Sequence, residues 1–487
     1  MIQNQVVIIG AGPAGLTAGY LLSKAGVPVV VLEADPKYVG GISRTAEYKS
    51  FLFDIGGHRF FSKSKEVEAL WAEILPNDML ERPRSSRIFY RGKFFSYPLR
   101  AMDALGKLGI GESVLCVLSY AKARLFPIKP ARNFEEWVTN QFGARLFSIF
   151  FRTYTEKVWG MSCREISADW AAQRIKGLSL AKAVLTAIIP KRKNAKKGDV
   201  VKTLIDKFRY PRRGPGMLWT VAAERIRAQG GKVLLDHKVV GLSLDQATKV
   251  WTVAARDSAG QIYDFEGRHV ISSAPIRELL PTITPLPATQ SLEAARKLRY
   301  RDFITVALVI EDRGIFTDNW IYIHDPNVKV GRVQNFKSWS PELVPDPKLN
   351  CYGLEYFCFE GDELWTKPDA ELIQFASKEL VKIGLAAEGD VRDGCVIRQP
   401  KAYPVYDDEY KSNIATIRTE LAAQHANLHL VGRNGMHKYN NQDHAMMTAM
   451  LCVKNILAGT PLYDLWAVNE DAEYHEECKS DGSAKKG

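Results

Sequence analysis

The chain has no uninterrupted apolar run of about 18 residues, so a membrane-spanning helix is not expected. Its opening, MIQNQVVIIG, has neither a basic n-region nor a small-residue cleavage site, so no signal peptide is expected. The seven cysteines form no CxxC and have no paired spacing with histidine. Neither a disulfide framework nor a metal site is expected, and a reduced cytoplasmic protein is the simple reading. Internal repeats are absent, as are a Ser/His/Asp triad and a paired-carboxylate motif. The net charge is +11, but the basic residues are dispersed and carry no nucleic-acid-binding motif. Nucleic acid is therefore not an expected partner. The excess charge suits a basic enzyme, an anionic substrate or an anionic membrane surface. At 487 residues the chain is long enough for two or more domains.

What is present begins with VVIIGAGPAGLTAGYLLSKAGVPVVVLEAD. Val6 to Ile9 reads as a buried strand, Leu16–Lys24 as a helix, and Val29 to Leu32 as a second strand ending in Glu33. Gly10 allows a sharp turn and Gly12 lets backbone approach a pyrophosphate. Gly15 lets the helix pack on the strand, and the helix N-terminus attracts phosphate. Glu33 is placed to accept hydrogen bonds from ribose hydroxyls. The continuation VGGISRT supplies Gly40, Gly41 and Arg44. It resembles the extended FAD signature of amine oxidase and glutathione reductase-like flavoproteins, with a guanidinium near the flavin or its pyrophosphate.

Further along, composition predicts an interleaved α/β fold. An FAD-binding Rossmann-like domain of the glutathione reductase type would be built from residues 1–84, 211–284 and 401–465. Residues 85–210 would form a helical substrate subdomain, with apolar periodicity in Ala101–Ala123 and Phe134–Phe151. Residues 285–400 alternate strand-like runs, FITVALVIE, WIYIHD and YGLEYFCF, with a helix at Asp369–Ile383. They read as an antiparallel substrate-domain sheet. KVLLDHKVVGLSL reads as one strand; in the flavoproteins that the chain resembles, the strand around Val239 supplies backbone contacts to adenine. Residues 466–487 read as a polar tail. The apolar run GLSLAKAVLTAIIP followed by KRKNAKK, spanning 177–197, reads as a buried helix and a solvated loop. Its other reading is a helix lying peripherally on the inner face of an anionic membrane.

Several stretches then combine into one pattern. FDIGGHRFFSKS (53–64), YRGKFFSYPL (90–99), FFRTYTEKVWG (150–160), QRI (173–175), VGRVQNFK (330–337), AYPV (402–405) and VGRNGMHKYNNQDHAM (431–446) follow one another in this order. Together they resemble the UDP-galactopyranose mutases within the FAD-dependent amine oxidase and protoporphyrinogen oxidase superfamily. The resemblance implies that Gly10, Gly12, Gly15, Glu33, Gly41, Arg44, Val239, Arg433 and Asn441 hold FAD. It implies that Phe150, Phe151, Tyr154 and Trp159 line a nucleotide and sugar pocket. Arg174 and Arg332 would clamp a diphosphate, helped by the hydroxyls of Tyr403 and Tyr439, and His58 would tune the flavin. The implied chemistry is a pyranose/furanose ring interconversion in polysaccharide biosynthesis. In it, reduced flavin N5 attacks the anomeric carbon of a nucleotide sugar.

The pattern departs from the family by insertions around 100–130 and 177–202 and at three single residues. Gly57 stands where a proline precedes the loop histidine, Phe61 where a second histidine is usual, and Asn441 where an aspartate is usual. Two readings follow. One is a nucleotide-sugar mutase-like enzyme whose flavin is reduced by an external donor such as NAD(P)H. The other is an FAD-dependent oxidoreductase or desaturase acting on an apolar or lipid-linked substrate. The sequence is silent on oligomeric state.

Overall fold

The computed structural model describes residues 5–99, 101–168, 207–425 and 427–469. Arg174, the 177–197 segment and residues 470–487 of the expected tail lie outside the described residues.

Val6–Ile9 is the centre of a five-stranded parallel sheet. It pairs with Val29–Leu32 on one side and His269–Ser272 on the other. Lys232–Leu234 and Leu428–Leu430 complete the edges. All four residues of the central strand are buried, which a parallel sheet covered on both faces requires. Helices Pro13–Lys24, Gly216–Ala228 and Gln442–Ala458 cover one face, with Trp71 packed among them. The other face meets an antiparallel layer containing Lys238–Leu244 and Trp251–Arg256. Strands from residues near 6, 269 and 428 lie side by side, so the nucleotide layer collects three distant stretches of chain.

KVLLDHKVVGLSL is not one strand. It divides into Lys232–Leu234 in the parallel sheet and Lys238–Leu244 in the antiparallel one. Asp236, at φ 56°, makes the break, and aspartate is among the few residues that tolerate this left-handed conformation.

A second sheet of seven strands carries Tyr300–Glu311 between Leu349–Cys358 and Val391–Pro404, all antiparallel. It continues through Arg332–Asn335 and Trp320–Ile323. It then takes in Ser86–Tyr90, in parallel, and Lys93–Ser96. This corrects the expectation of a helical unit from residue 85. The SRIFY–RG–KFFS stretch is a hairpin, turned by Arg91 and Gly92 at φ 47° and 73°. That pair of positive angles matches the twist of flanking strands. Lys207–Pro211 likewise pairs with Met79–Pro83 rather than extending a helix. The last strand also runs to Pro404, past the expected boundary at 400.

Between these strands lies the helical layer: Ala101–Leu108, Ile110–Leu125, Phe134–Phe142 and a run from Ala144 to Trp159. That last run contains a π-helical turn at Ser148–Arg152. The extra residue of a π turn re-aims the side chains that follow it.

Candidate active site

A cavity of about 620 Å³ crosses the C-terminal edge of the parallel sheet. Gly10, Gly12, Glu33, Gly41 and Val239 line one part of it, and His58, Arg433 and Asn441 another. The glycines are there for close approach. A Cβ on Gly15 would stand 1.8 Å from the Gly10 carbonyl oxygen, so only glycine lets the helix sit on the strand. A Cβ on Gly41 would stand 3.3 Å from the Gly12 Cα. Ala11 N–H donates to Glu33 Oε2 at 2.6 Å and Asp35 N–H to Oε1 at 2.9 Å. Burial pushes the Glu33 carboxyl up and these backbone donors pull it down. Each oxygen keeps a further lone pair for a ligand hydroxyl.

Two residues read from sequence sit differently. The Arg44 guanidinium is committed to the protein: Nη1 donates to Gly41 O at 2.9 Å and to Gln399 Oε1 at 2.7 Å. Nε lies 3.8 Å from Asp35. Arg44 braces the glycine turn and does not itself line the cavity. Asn441 does line it, but its side chain caps the helix Gln442–Ala458, directing a helix N-terminus at the cavity.

Three polar atoms on cavity-lining residues are buried without a hydrogen-bond partner: His58 Nδ1, Asn434 Oδ1 and Gln442 Oε1. Unpaired buried polar groups are costly, and a polar ligand would satisfy them. With the glycine cradle and Glu33, they fit a flavin dinucleotide. Burial lowers the His58 pKa to about 3, with the charges of Arg433 and Arg332 acting in the same direction. His58 is therefore a neutral imidazole at physiological pH, able to donate or accept a hydrogen bond without carrying charge.

Next to His58 lies an aromatic and cationic cluster, of which only Arg433 lines the cavity. Arg332 Nη2 lies 3.9 Å from where a Cβ on Gly56 would stand. Arg332 Nε donates to Glu355 Oε2 at 2.6 Å, and Gln334 Nε2 donates to Glu355 Oε1 at 2.5 Å. Burial disfavours the Arg332 charge, but the Glu355 carboxylate and the phenols of Tyr154, Tyr403 and Tyr322 together outweigh it and hold the guanidinium protonated. Tyr403 stacks on Tyr439 at 5.4 Å and 15°. The Arg433 guanidinium lies 5.2 Å and 5.4 Å from the centres of those two rings. Tyr154 stacks on His324 at 4.9 Å and meets Tyr322 edge-on at 5.4 Å. Burial raises the Tyr154 phenol well above its usual value, against the pull of Arg332.

No residue of the segment FFRTYTEKVWG lines the cavity, and only part of the segment reaches the Arg332 cluster. Tyr154 faces the Arg332 cluster. Phe150 does not: it is 3% exposed and packs on Phe95 and Tyr90. Phe151 stacks on Phe142. Trp159 is buried in the same helical core, with its ring centre 6.2 Å from that of Tyr439. The charged residues do not all face away either. Lys157 Nζ points inward and donates to the carbonyls of Ile323, Asp325 and Val330 at 3.1, 2.7 and 3.1 Å. Arg301 closes the helix C-terminus, donating to Val158 O at 3.1 Å and Lys157 O at 3.3 Å. Gly160 is required there, because a Cβ would stand 2.4 Å from the Arg301 Cζ.

Glu355, Gln334, Tyr322 and His324 escape the sequence reading. Glu355 left a signal: it is a lone carboxylate inside LNCYGLEYFC, where every residue after Leu349 is buried. Such a charge needs a partner on a neighbouring strand.

A parallel sheet with a glycine cradle, a buried acid and a cavity at its C-terminal edge, beside a cationic and phenolic cluster, is the arrangement of a dinucleotide-binding protein. A family model described as flavin containing amine oxidoreductase matches residues 13–439. The chain belongs to that family, whose members are enzymes, and its cofactor is FAD. Curated relatives match only in part. The dTDP-fucopyranose mutase of Escherichia coli is 26% identical over 174 residues, covering 34% of this chain and 45% of the mutase. The L-amino-acid oxidase of Crotalus adamanteus is 46% identical over 64 residues, covering 13% of this chain and 12% of that enzyme. The chain thus spans under half the length of these relatives. Among solved structures, a reduced UDP-galactopyranose mutase superposes with a TM-score of 0.81 at 21% identity, over 97% of this chain and 98% of that one. A putrescine oxidase bound to putrescine superposes with a TM-score of 0.60 at 18% identity, over 94% and 99%. At these identities the structures establish the fold.

Proposed function

We propose that the chain is a nucleotide-sugar pyranose/furanose mutase-like flavoenzyme. The observation that carries this reading is the cluster beside His58. There Arg332 is held by Glu355 and surrounded by Tyr154, Tyr403 and, through Tyr403, Tyr439 and Arg433. Guanidinium and phenol donors together suit the oxygens of a diphosphate. The resemblance to the mutases, the dTDP-fucopyranose mutase match and the superposition on the reduced UDP-galactopyranose mutase support the same reading.

The residues divide the work. Glu33, Gly12 and the N-terminus of Pro13–Lys24 hold the nucleotide end of FAD, and Val239 borders it. His58 and Arg433 border the flavin end. When reduced, the flavin supplies a nucleophilic nitrogen. Arg332, with the Tyr403 and Tyr439 hydroxyls, orients the substrate diphosphate and stabilises its charge as it leaves. Arg174 is proposed as the second cation of this clamp. NAD(P)H is proposed as the reductant, and a place in polysaccharide biosynthesis follows from the substrate class.

The second reading, an oxidoreductase acting on an apolar substrate, is favoured by one observation. Glu355 already balances the Arg332 charge, so the cluster is less cationic than the arginine alone suggests. Anaerobic reduction of the yellow protein followed by UDP-galactopyranose or dTDP-fucopyranose separates the two. Furanose product, with the flavin still reduced, supports the mutase. No turnover, together with a flavin spectrum indifferent to UDP and dTDP, sinks it.

A further inference from the structure

The helix Ile110–Leu125 is turned inside out. At about 100° per residue, Ile110, Val114, Val117, Leu118, Ala121 and Leu125 fall on one arc, and that arc faces solvent. Ile110 is 88% exposed, Leu118 61% and Leu125 73%. The face turned to the protein buries only the small Cys116 and Ala123 and otherwise holds polar residues. Glu112 pairs with Arg145, and Ser113 Oγ donates to Leu105 O at 2.7 Å. Ser119 Oγ accepts the Arg145 N–H at 3.1 Å. The apolar surface continues into Phe126, 75% exposed, and Ile128. A soluble surface helix shows the opposite polarity, and apolar patches of this kind mark a docking face.

We propose that this helix docks on an anionic lipid surface. Its charge chooses the occupant. Lys122 and Arg124 flank the apolar arc on its two sides, and Lys129 and Arg132 follow at its end, all exposed. Between residues 110 and 134 the only acidic residue is Glu112, and it is turned inward against Arg145. A basic collar around an apolar face matches negatively charged headgroups over acyl chains. A second copy of this chain is the poorer occupant, since a two-fold contact would press these like-charged flanks together without an acidic complement. Sixteen residues rise about 24 Å, short of the ~30 Å hydrocarbon layer. Among the described residues no helix is long and apolar enough to cross a membrane. The helix therefore lies in the interface. The inference is independent of the reaction catalysed, since vesicle binding is read without turnover.

Flotation of the full-length, FAD-loaded protein tests it. The probes are phosphatidylcholine/phosphatidylglycerol vesicles and phosphatidylcholine vesicles alone. The wild type floats with the mixed vesicles. Leu118→Glu/Leu125→Glu loses at least about tenfold in partition coefficient. Lys122→Glu/Arg124→Glu loses the preference for the anionic vesicles. Both keep the flavin absorbance and melting temperature of the wild type, because the changed side chains are exposed. Three outcomes overturn the proposal. The wild type fails to float. The variants float as well as the wild type, which moves any binding elsewhere, the 177–197 segment included. Or Leu118→Glu/Leu125→Glu abolishes a concentration-dependent dimer and leaves vesicle binding intact, which makes a second copy the occupant.

Discussion

Arg332 and Glu355 face each other across neighbouring strands, with Arg332 Nε donating to Glu355 Oε2 at 2.6 Å. The carboxylate is 1% exposed and the arginine 17%. Glu355 also takes the Gln334 amide, and Gln334 in turn backs Gly57, whose Cβ would stand 2.7 Å from its Nε2. The pair therefore links the GGH loop to the middle of the seven-stranded sheet, and a diphosphate-binding arginine would be held in place before substrate arrives.

Removing the arginine alone strands a buried carboxylate. Arg332→Ala should lose about 3–5 kcal/mol of stability, as broken buried ion pairs do. Arg332→Met with Glu355→Gln should recover most of it, because neither charge remains. Urea denaturation followed by tryptophan fluorescence measures both. A double variant no more stable than Arg332→Ala would mean that the pair is not coupled. In the mutase assay both variants should be equally impaired, since each lacks the guanidinium.

The glycine cradle gives a second expectation. Gly15→Ala places a methyl group 1.8 Å from the Gly10 carbonyl oxygen. The helix must then move away from the strand that presents the phosphate-binding turn. The variant should purify with little or no bound flavin, read from its visible absorbance. Gly106→Ala is the control: its Cβ meets nothing within 4 Å, and it lies in the helix Ala101–Leu108. It should keep full flavin content and gain up to about 1 kcal/mol of helix propensity.

Buried histidines set the acid limit of stability. His324 is 5% exposed, and burial, reinforced by the Lys157 charge, lowers its pKa to about 3. The unfolded chain titrates near 6.5. Below that value the unfolded state takes up a proton that the folded state refuses. Stability is thus full above pH 6.5 and falls as the pH drops from 6.5 toward 3. Each such histidine contributes about 1.4 kcal/mol per pH unit in that window. His324→Phe keeps the stack on Tyr154 and removes one proton. Its loss of stability between pH 7 and pH 5 should be smaller than the wild type's by about 2 kcal/mol. An identical pH dependence would falsify this account.

Much of the nucleotide site was legible because its logic is local. A strand, a glycine turn, a helix and an acid within some thirty residues announce the cradle, and Gly10, Gly12, Gly41 and Glu33 all line the cavity. Resemblance added Val239, His58, Arg433 and Asn441 from distant segments. What escaped depends on strand order. Glu355 gains meaning only from Arg332 across the ladder, and Tyr322 and His324 only from Tyr154 on a helix. The hairpin at 86–96 was implied by the resemblance of YRGKFFSYPL, but its place in the seven-stranded sheet was hidden for the same reason: its partner, Trp320–Ile323, lies more than two hundred residues away. In FFRTYTEKVWG the rings drew attention, but helical spacing does not register a π turn. Phe150 and Phe151 accordingly fall into the core.

Lys157 provides the last test. Its ammonium meets three backbone carbonyls, Ile323, Asp325 and Val330, which bracket the loop between the strands carrying Tyr322 and Arg332. Burial lowers its pKa to about 8, so at neutral pH it remains a three-donor cation, the number the three acceptors need. Lys157→Met leaves those carbonyls unpaired and should cost about 3 kcal/mol. Lys157→Arg should not restore it, because a planar fork cannot replace a compact ammonium among three converging oxygens. Flavin content should survive in both, since none of these groups lines the cavity. If the loop positions Arg332, KM for the nucleotide sugar should rise while the reduced flavin spectrum stays unchanged. Loss of stability with an unaltered KM would leave Lys157 as a fastener between the helix and the sheet, with no part in placing the arginine.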